Sequence, residues 1–188
     1  MRAALALTVF LAAACASDPP VGPYTPPSGA QRDTARAQEL NREAADLLGS
    51  DPAQAEATLR EALTADLFFG PAHNNLGVVF LGQDKLYEAA SEFEWARKLM
   101  PGHPDPRVNL ALVMERAGRT DEALAGYEAA LEVWPGYLPA LQGLASLTLR
   151  AGDREDPRLQ GWLEEVALRG EGAWKAWARG ELGRFRRP

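Results

Sequence analysis

Cysteine and histidine are the scarcest of the chemically useful residues in this 188-residue chain: Cys15 stands alone, and His73 and His103 are the only histidines. One cysteine excludes an internal disulfide framework, and with two histidines it excludes a Cys-rich zinc or iron–sulfur site. Basic residues are also short. Twenty Lys and Arg face 26 Asp and Glu, a net charge of −6, which argues against nonspecific nucleic-acid binding, since that needs a basic surface to displace counterions. No Gly-x-Gly-x-x-Gly, P-loop or Gly-x-Ser-x-Gly signature occurs, and no acidic cluster has metal-ligand spacing, so neither a phosphate cradle nor a nucleophile elbow is expected. The chain is therefore expected to have no catalytic residues, cofactor, metal or small-molecule substrate. With 46% hydrophobic and 24% charged residues it has the composition of a folded domain.

No apolar run approaches the ~20 residues that cross a bilayer. The longest, residues 3–14, follows Met1-Arg2 and ends at Cys15. A positive start, a short apolar core and small residues at its end predict a secretory signal over residues 1–14. The stretch Leu11-Ala12-Ala13-Ala14-Cys15 resembles a bacterial lipobox, with Ala12 where that motif usually carries Leu. The resemblance implies that Cys15 becomes the lipidated first residue of the mature protein; a plain cleaved signal is the rival. Loss of Arg2 with residues 1–14 takes the charge from −6 to −7. Several acyl chains on one residue make anchoring stable. Ala16 and Ser17 lack the aspartate that retains many lipoproteins at the inner membrane, so the resemblance favours the outer membrane, facing the periplasm. Residues 15–32 read as lipidated Cys plus a Pro-rich tether, with five prolines among residues 18–29. At about 3.1 Å per residue it reaches up to roughly 45 Å, or it is a leader whose reach is not selected.

The remainder, residues 33–188, is organised by a 34-residue period. His73, Leu76, Gly77, Phe80, Ala89, Phe93, Ala96 and Pro101 are followed 34 residues later by Arg107, Leu110, Ala111, Met114, Ala123, Tyr127, Ala130 and Pro135. Each block pairs a large with a small residue in its first half, places an aromatic in its second half and closes on a proline that stops a helix. Pro71, Pro106 and Pro139 fall where the next helices should begin, with Asp105 as an expected N-cap. At these residues the chain resembles the tetratricopeptide repeat (TPR) family. The resemblance implies an all-α, right-handed superhelix of about four helix hairpins, at approximately 37–69, 70–103, 104–137 and 138–171, with a C-terminal capping helix at 172–185. The first hairpin carries Asp51-Pro52 as cap and helix start. The fourth is degenerate, with a second helix expected from Pro157 to about Leu168. The capping helix has Trp174, Trp177, Ala178 and Leu182 on one side.

In TPR domains the first helix of each hairpin lines the concave face. The resemblance therefore implies a partner-binding groove of Asn41, Asn74, Val78, Leu81, Val108, Leu112, Glu115, Arg116, Gln142, Ser146 and Arg150. Its amides suit an extended peptide backbone, and its apolar members suit side chains or pack against one another across the superhelix. The lysine clamp that chaperone-binding members close on a carboxylate is not expected, since no lysine stands at the corresponding positions. His73 is expected to pack against a neighbouring helix and His103 to be solvated. Trp95 falls where a second helix usually faces water, as a convex contact or lying flat on its own helix. The functional expectation is a non-enzymatic interaction scaffold of the cell envelope that holds another envelope protein by an extended peptide or a helix. The alternatives are a pilotin-like assembly factor for a type IV pilus or secretion apparatus, and a structural spacer.

Overall fold

In the computed structural model, residues 32–185 are described. Among them are nine helices: α1 (Thr34–Leu47), α2 (Pro52–Ala65), α3 (Gly70–Gly82), α4 (Leu86–Leu99), α5 (Asp105–Arg116), α6 (Thr120–Val133), α7 (Leu138–Arg150), α8 (Leu159–Arg169) and α9 (Gly172–Phe185). No described helix is long and apolar enough to cross a membrane. Cys15, the signal and the tether lie outside the described residues.

The helices form antiparallel hairpins, α1–α2, α3–α4, α5–α6 and α7–α8, each stacked on the next. The first helices touch one another in the order α1, α3, α5, α7 and make an inner layer; the second helices lie outside it. The small residues are what allow the helices to approach, Gly77 within a hairpin and Gly143 between two hairpins. A Cβ on Gly77 would sit 2.6 Å from the Phe93 ring, and one on Gly143 2.5 Å from the Tyr127 ring. Phe93 and Tyr127 thus fill space left by glycines on facing helices. The buried side chains form two clusters, one on α1–α4 with Val113, the other on α5–α9.

The 34-residue period extends to the backbone. Asp84, Gly118 and Gly152, spaced 34 apart, all have positive φ, at 59°, 74° and 85°. Each follows a first helix and closes it by the same pair of bonds. In the first turn Lys85 N–H donates to Phe80 O at 2.9 Å and Asp84 N–H to Leu81 O at 3.2 Å. This is the Schellman closure, which satisfies carbonyls left open at a helix end.

Helix starts follow the sequence in some places and depart from it in others. Asp51 caps α2, accepting from the Gln54 N–H at 3.0 Å. Asp105 does not cap α5. It is already the first helical residue, and its carboxylate accepts the Tyr137 hydroxyl instead. Burial first, and that bond second, raise the Tyr137 pKa. The second helix of the fourth hairpin begins at Leu159, not Pro157, because the chain turns over residues 157–158 first.

Asp66, where a closing proline is missing, caps the end of α2 and is 1% exposed. It accepts from Arg32 Nε (2.8 Å), Thr34 Oγ1 (2.7 Å) and the Phe68 N–H (3.0 Å). Burial pushes its pKa up, but these donors outweigh burial and hold it below the usual carboxylate range. The stabilisation is therefore complete above about pH 4 and lost as the pH falls through the lowered folded value. Asp66→Asn is expected to cost about 1–3 kcal/mol at pH 7 and to flatten the acid limb of the urea-unfolding profile. An acid limb of unchanged steepness would count against this assignment.

Candidate functional site: the concave face

The inner layer carries a ladder of polar contacts between consecutive first helices. Asn75 Nδ2 donates to Asn41 Oδ1 at 2.9 Å, and Asn109 Nδ2 to Asn74 Oδ1 at 3.0 Å. Arg116 Nη1 donates to the Leu81 carbonyl at 2.8 Å, and Arg150 to Glu115. Every rung spans 34 or 35 residues. The rungs tie neighbouring repeats at the surface where a ligand would lie.

The structure brings only part of the expected groove into one cleft. Val108, Leu112 and Glu115 from α5 face Pro139, Gln142, Gly143 and Ser146 from α7, across a volume of about 190 Å³ that Tyr127 and Trp174 complete. Arg150 stands at its edge through Glu115. Asn41 lies at the far end, on a shallower surface with Gln38, Arg42 and Ala45 of α1. Asn74 and Val78 are half-buried between the two regions. Leu81 does not line the groove: at 6% exposure it belongs to the core. The reason is local. Val79, Phe80 and Leu81 are consecutive buried residues, so α3 is apolar over most of its circumference.

Glu115 organises the cleft. One carboxylate oxygen accepts from Arg150 and the other from the Tyr127 hydroxyl at 2.8 Å. Tyr127 has its pKa raised, by burial first and by the Glu115 carboxylate second, so it keeps its proton and donates. The cleft thus has a charge-balanced wall, an apolar floor of Val108 and Leu112, and amide and hydroxyl groups at Gln142 and Ser146.

Trp174 was not among the expected groove residues. It lies in the first turn of α9, is 40% exposed, and meets Trp177 edge-on at 5.3 Å. Gly172 stands 34 residues after Leu138. Continuing the period would not have marked Trp174, because Ala140, Pro106 and Ala72, which stand at the same place in the three preceding blocks, are buried.

On the convex side, Trp95 is 44% exposed. Its ring stacks on His73 at 5.8 Å, and Lys98 Nζ lies 5.8 Å from its centroid. His73 packs inside, 1% exposed. Its Nε2 donates to the Leu67 carbonyl at 2.8 Å, and its Nδ1 lies 2.6 Å from a Glu92 oxygen. His103 is exposed. Among the described residues, no three His, Cys, Asp or Glu side chains are placed to hold a metal ion.

Residues 104–147 match the tetratricopeptide repeat family. The chain is 31% identical over 99 residues to Superkiller complex protein 3 of Mus musculus, covering 53% of this chain and 6% of that protein. It is 35% identical over 82 residues to the TPR repeat-containing thioredoxin TTL4 of Arabidopsis thaliana, covering 44% of this chain and 12% of that one. The matched region is thus a small fraction of either relative. Among solved structures, MamA is similar at TM-score 0.63 and 22% identity, covering 71% of this chain and 80% of that one. The first TPR of Spaghetti (RPAP3), bound to an HSP90 peptide, is similar at 0.61 and 18%, covering 66% and 99%. An O-GlcNAc transferase mutant of Thermobaculum terrenum is similar at 0.65 and 23%, covering 72% of this chain and 27% of that one. The described residues are a TPR-type right-handed α-solenoid. The likeness in fold extends over the stacked hairpins, and the family match lies within residues 104–147.

Proposed function

We propose that this chain is a non-enzymatic scaffold of the bacterial cell envelope that holds a partner protein by an extended peptide or a helix in its concave face. The cleft between α5, α7 and α9 carries this reading. It offers apolar floor, balanced charge and uncharged donors and acceptors on one wall, the mixture that takes a peptide backbone and its side chains together. The similar Spaghetti (RPAP3) domain holds a peptide, which supports the use of the fold and leaves the sequence of the ligand to this chain's own residues. Leu112→Glu would place a charge on the apolar floor while half-exposed, and is expected to reduce partner recovery from solubilised envelopes at least tenfold, with helix content unchanged by circular dichroism. Undiminished recovery with Leu112→Glu and Asn74→Ala combined would rule out the groove.

The envelope placement rests on residues 1–31. An exported chain cleaved before Cys15 and acylated there would present the solenoid to the periplasm from a lipid anchor, with the outer membrane favoured by Ala16 and Ser17. Mass spectrometry of the mature N-terminal peptide is expected to show a multiply acylated Cys15. An unmodified thiol would overturn the anchor and leave the groove reading standing.

A further inference from the structure

The asparagine ladder of the inner layer leaves donors over. Asn41 and Asn74 each accept through Oδ1 from the next repeat, from Asn75 and Asn109. Their Nδ2 groups have no acceptor among the described residues, where no buried side-chain nitrogen or oxygen lacks a partner. Both Nδ2 groups are therefore open to solvent. The ladder fixes each amide with its oxygen used and its donor available.

The arginines at the other end of the first helices add charge to this pattern. Arg116 and Arg150 stand 34 residues apart, at the ends of α5 and α7. Neighbouring helices pack about 8–10 Å apart. Arg116 is exposed and bonded to the Leu81 carbonyl. That oxygen orients the guanidinium and leaves its charge uncompensated; among the described residues no carboxylate pairs with it. Because Leu81 already holds the side chain, little of its freedom is left to lose on binding. Arg150, with its side chain 58% exposed, pairs with Glu115. Among the described residues Glu115 is the only carboxylate lining the apolar cleft, and both its oxygens are taken, by Arg150 and the Tyr127 hydroxyl. A second hollow of about 230 Å³, formed by Glu115, Thr120, Leu147, Arg150 and Ala151, adjoins that cleft through Glu115. Two guanidiniums thus stand beside one neutralised carboxylate, in a chain whose net charge is −6.

We propose that the segment held in the concave face is acidic: an apolar residue on the Val108–Leu112 floor, flanked by Asp or Glu whose carboxylates pair with Arg116 and Arg150, with further oxygens of the segment accepting from Asn74 and Asn41. The proposal rests on the groove reading above and adds the charge of the ligand to it. Arg116 lies eight residues beyond Val108, about 12 Å along α5. An apolar residue and its acidic neighbour in about four residues of extended chain cover that distance. Complementary charge of this kind sets which partner is accepted more than how tightly it is held.

Three pools of synthetic peptides test this on the full chain purified in detergent. The peptides have about nine residues, roughly 30 Å when extended. Their C-termini are amidated, so that no chain-end carboxylate takes part. An apolar centre is flanked by Asp and Glu in the first pool, by Asn and Gln in the second and by Lys and Arg in the third. Retention on the immobilised chain is read by mass spectrometry. The acidic pool is expected to be retained about tenfold more than the amide pool, and the basic pool least, with most of the difference erased at about 0.5 M salt. Arg116→Gln combined with Arg150→Gln keeps a donor toward the Leu81 carbonyl and Glu115 while removing both charges. It should bring the acidic pool down about tenfold, to the level of the amide pool. Asn74→Asp keeps the oxygen that Asn109 donates to, loses the outward donor, and should weaken the acidic pool alone. Equal retention of the acidic and amide pools, or acidic retention that the two arginine changes leave unaltered, would overturn the acidic ligand. If Leu112→Glu still releases those peptides, the groove reading survives. No retention of any pool, or retention that Leu112→Glu does not disturb, would overturn both.

Discussion

Phe93→Ala lowers the unfolding free energy by about 3–5 kcal/mol, the range for deleting a fully buried aromatic. Phe93 is 0% exposed and occupies the space that Gly77 leaves open on the facing helix, so little can collapse into the cavity. The loss should not spread evenly. In a solenoid each hairpin is supported by its neighbours alone, and the buried side chains here fall into two clusters, with Val113 of α5 in the N-terminal one. Amides of α1–α4 should lose hydrogen-exchange protection first, while those of α7–α8 keep most of theirs. Equal loss throughout, or a cost under about 1 kcal/mol, would contradict a core divided in this way.

Gly143→Val is the complementary experiment, adding atoms where Phe93→Ala removes them. A Cβ at position 143 would stand 2.5 Å from the Tyr127 ring. The ring cannot swing away freely, because its hydroxyl is held by Glu115 at 2.8 Å. The expected cost is about 3 kcal/mol, the upper end for overpacking. A second, separable effect should appear at the surface: displacing Tyr127 disturbs Glu115, and with it the wall of the concave cleft. Gly143→Val combined with Tyr127→Leu should recover stability, read as the urea midpoint, without recovering partner binding. Wild-type stability for Gly143→Val alone would mean that the α6–α7 packing described here is wrong.

The hairpins were legible because close packing leaves a periodic trace. A glycine or alanine is needed wherever two helices approach, and an aromatic wherever the gap between repeats must be filled. Gly77 with Phe93, and Ala111 with Tyr127, therefore recur at a fixed spacing. The site was legible only in part. Leu81 occupies a groove position by spacing, yet the apolar character of α3 draws it into the core. Asn41 and Asn74 face the concave side, but their side-chain oxygens are taken by Asn75 and Asn109 one repeat on, a pairing that depends on the stacking distance between first helices. Asp105 has the residue type of a cap, and loses that role to a tertiary bond with Tyr137. Extending the period past residue 171 would not have found Trp174, because its counterpart one block back, Ala140, is buried. It was hidden because a terminal helix is read first for the face it buries, and Trp177, Ala178 and Leu182 account for that face.

The claim that the concave cleft between α5, α7 and α9 is where a partner sits can be tested by site-specific photo-crosslinking in intact cells. A photoreactive phenylalanine analogue in place of Leu112 should give one discrete, reproducible adduct, abolished by Trp174→Ala. The same analogue in place of Leu168, 71% exposed on α8 of the outer layer, should give none. An adduct from position 168 with none from position 112 would contradict the account.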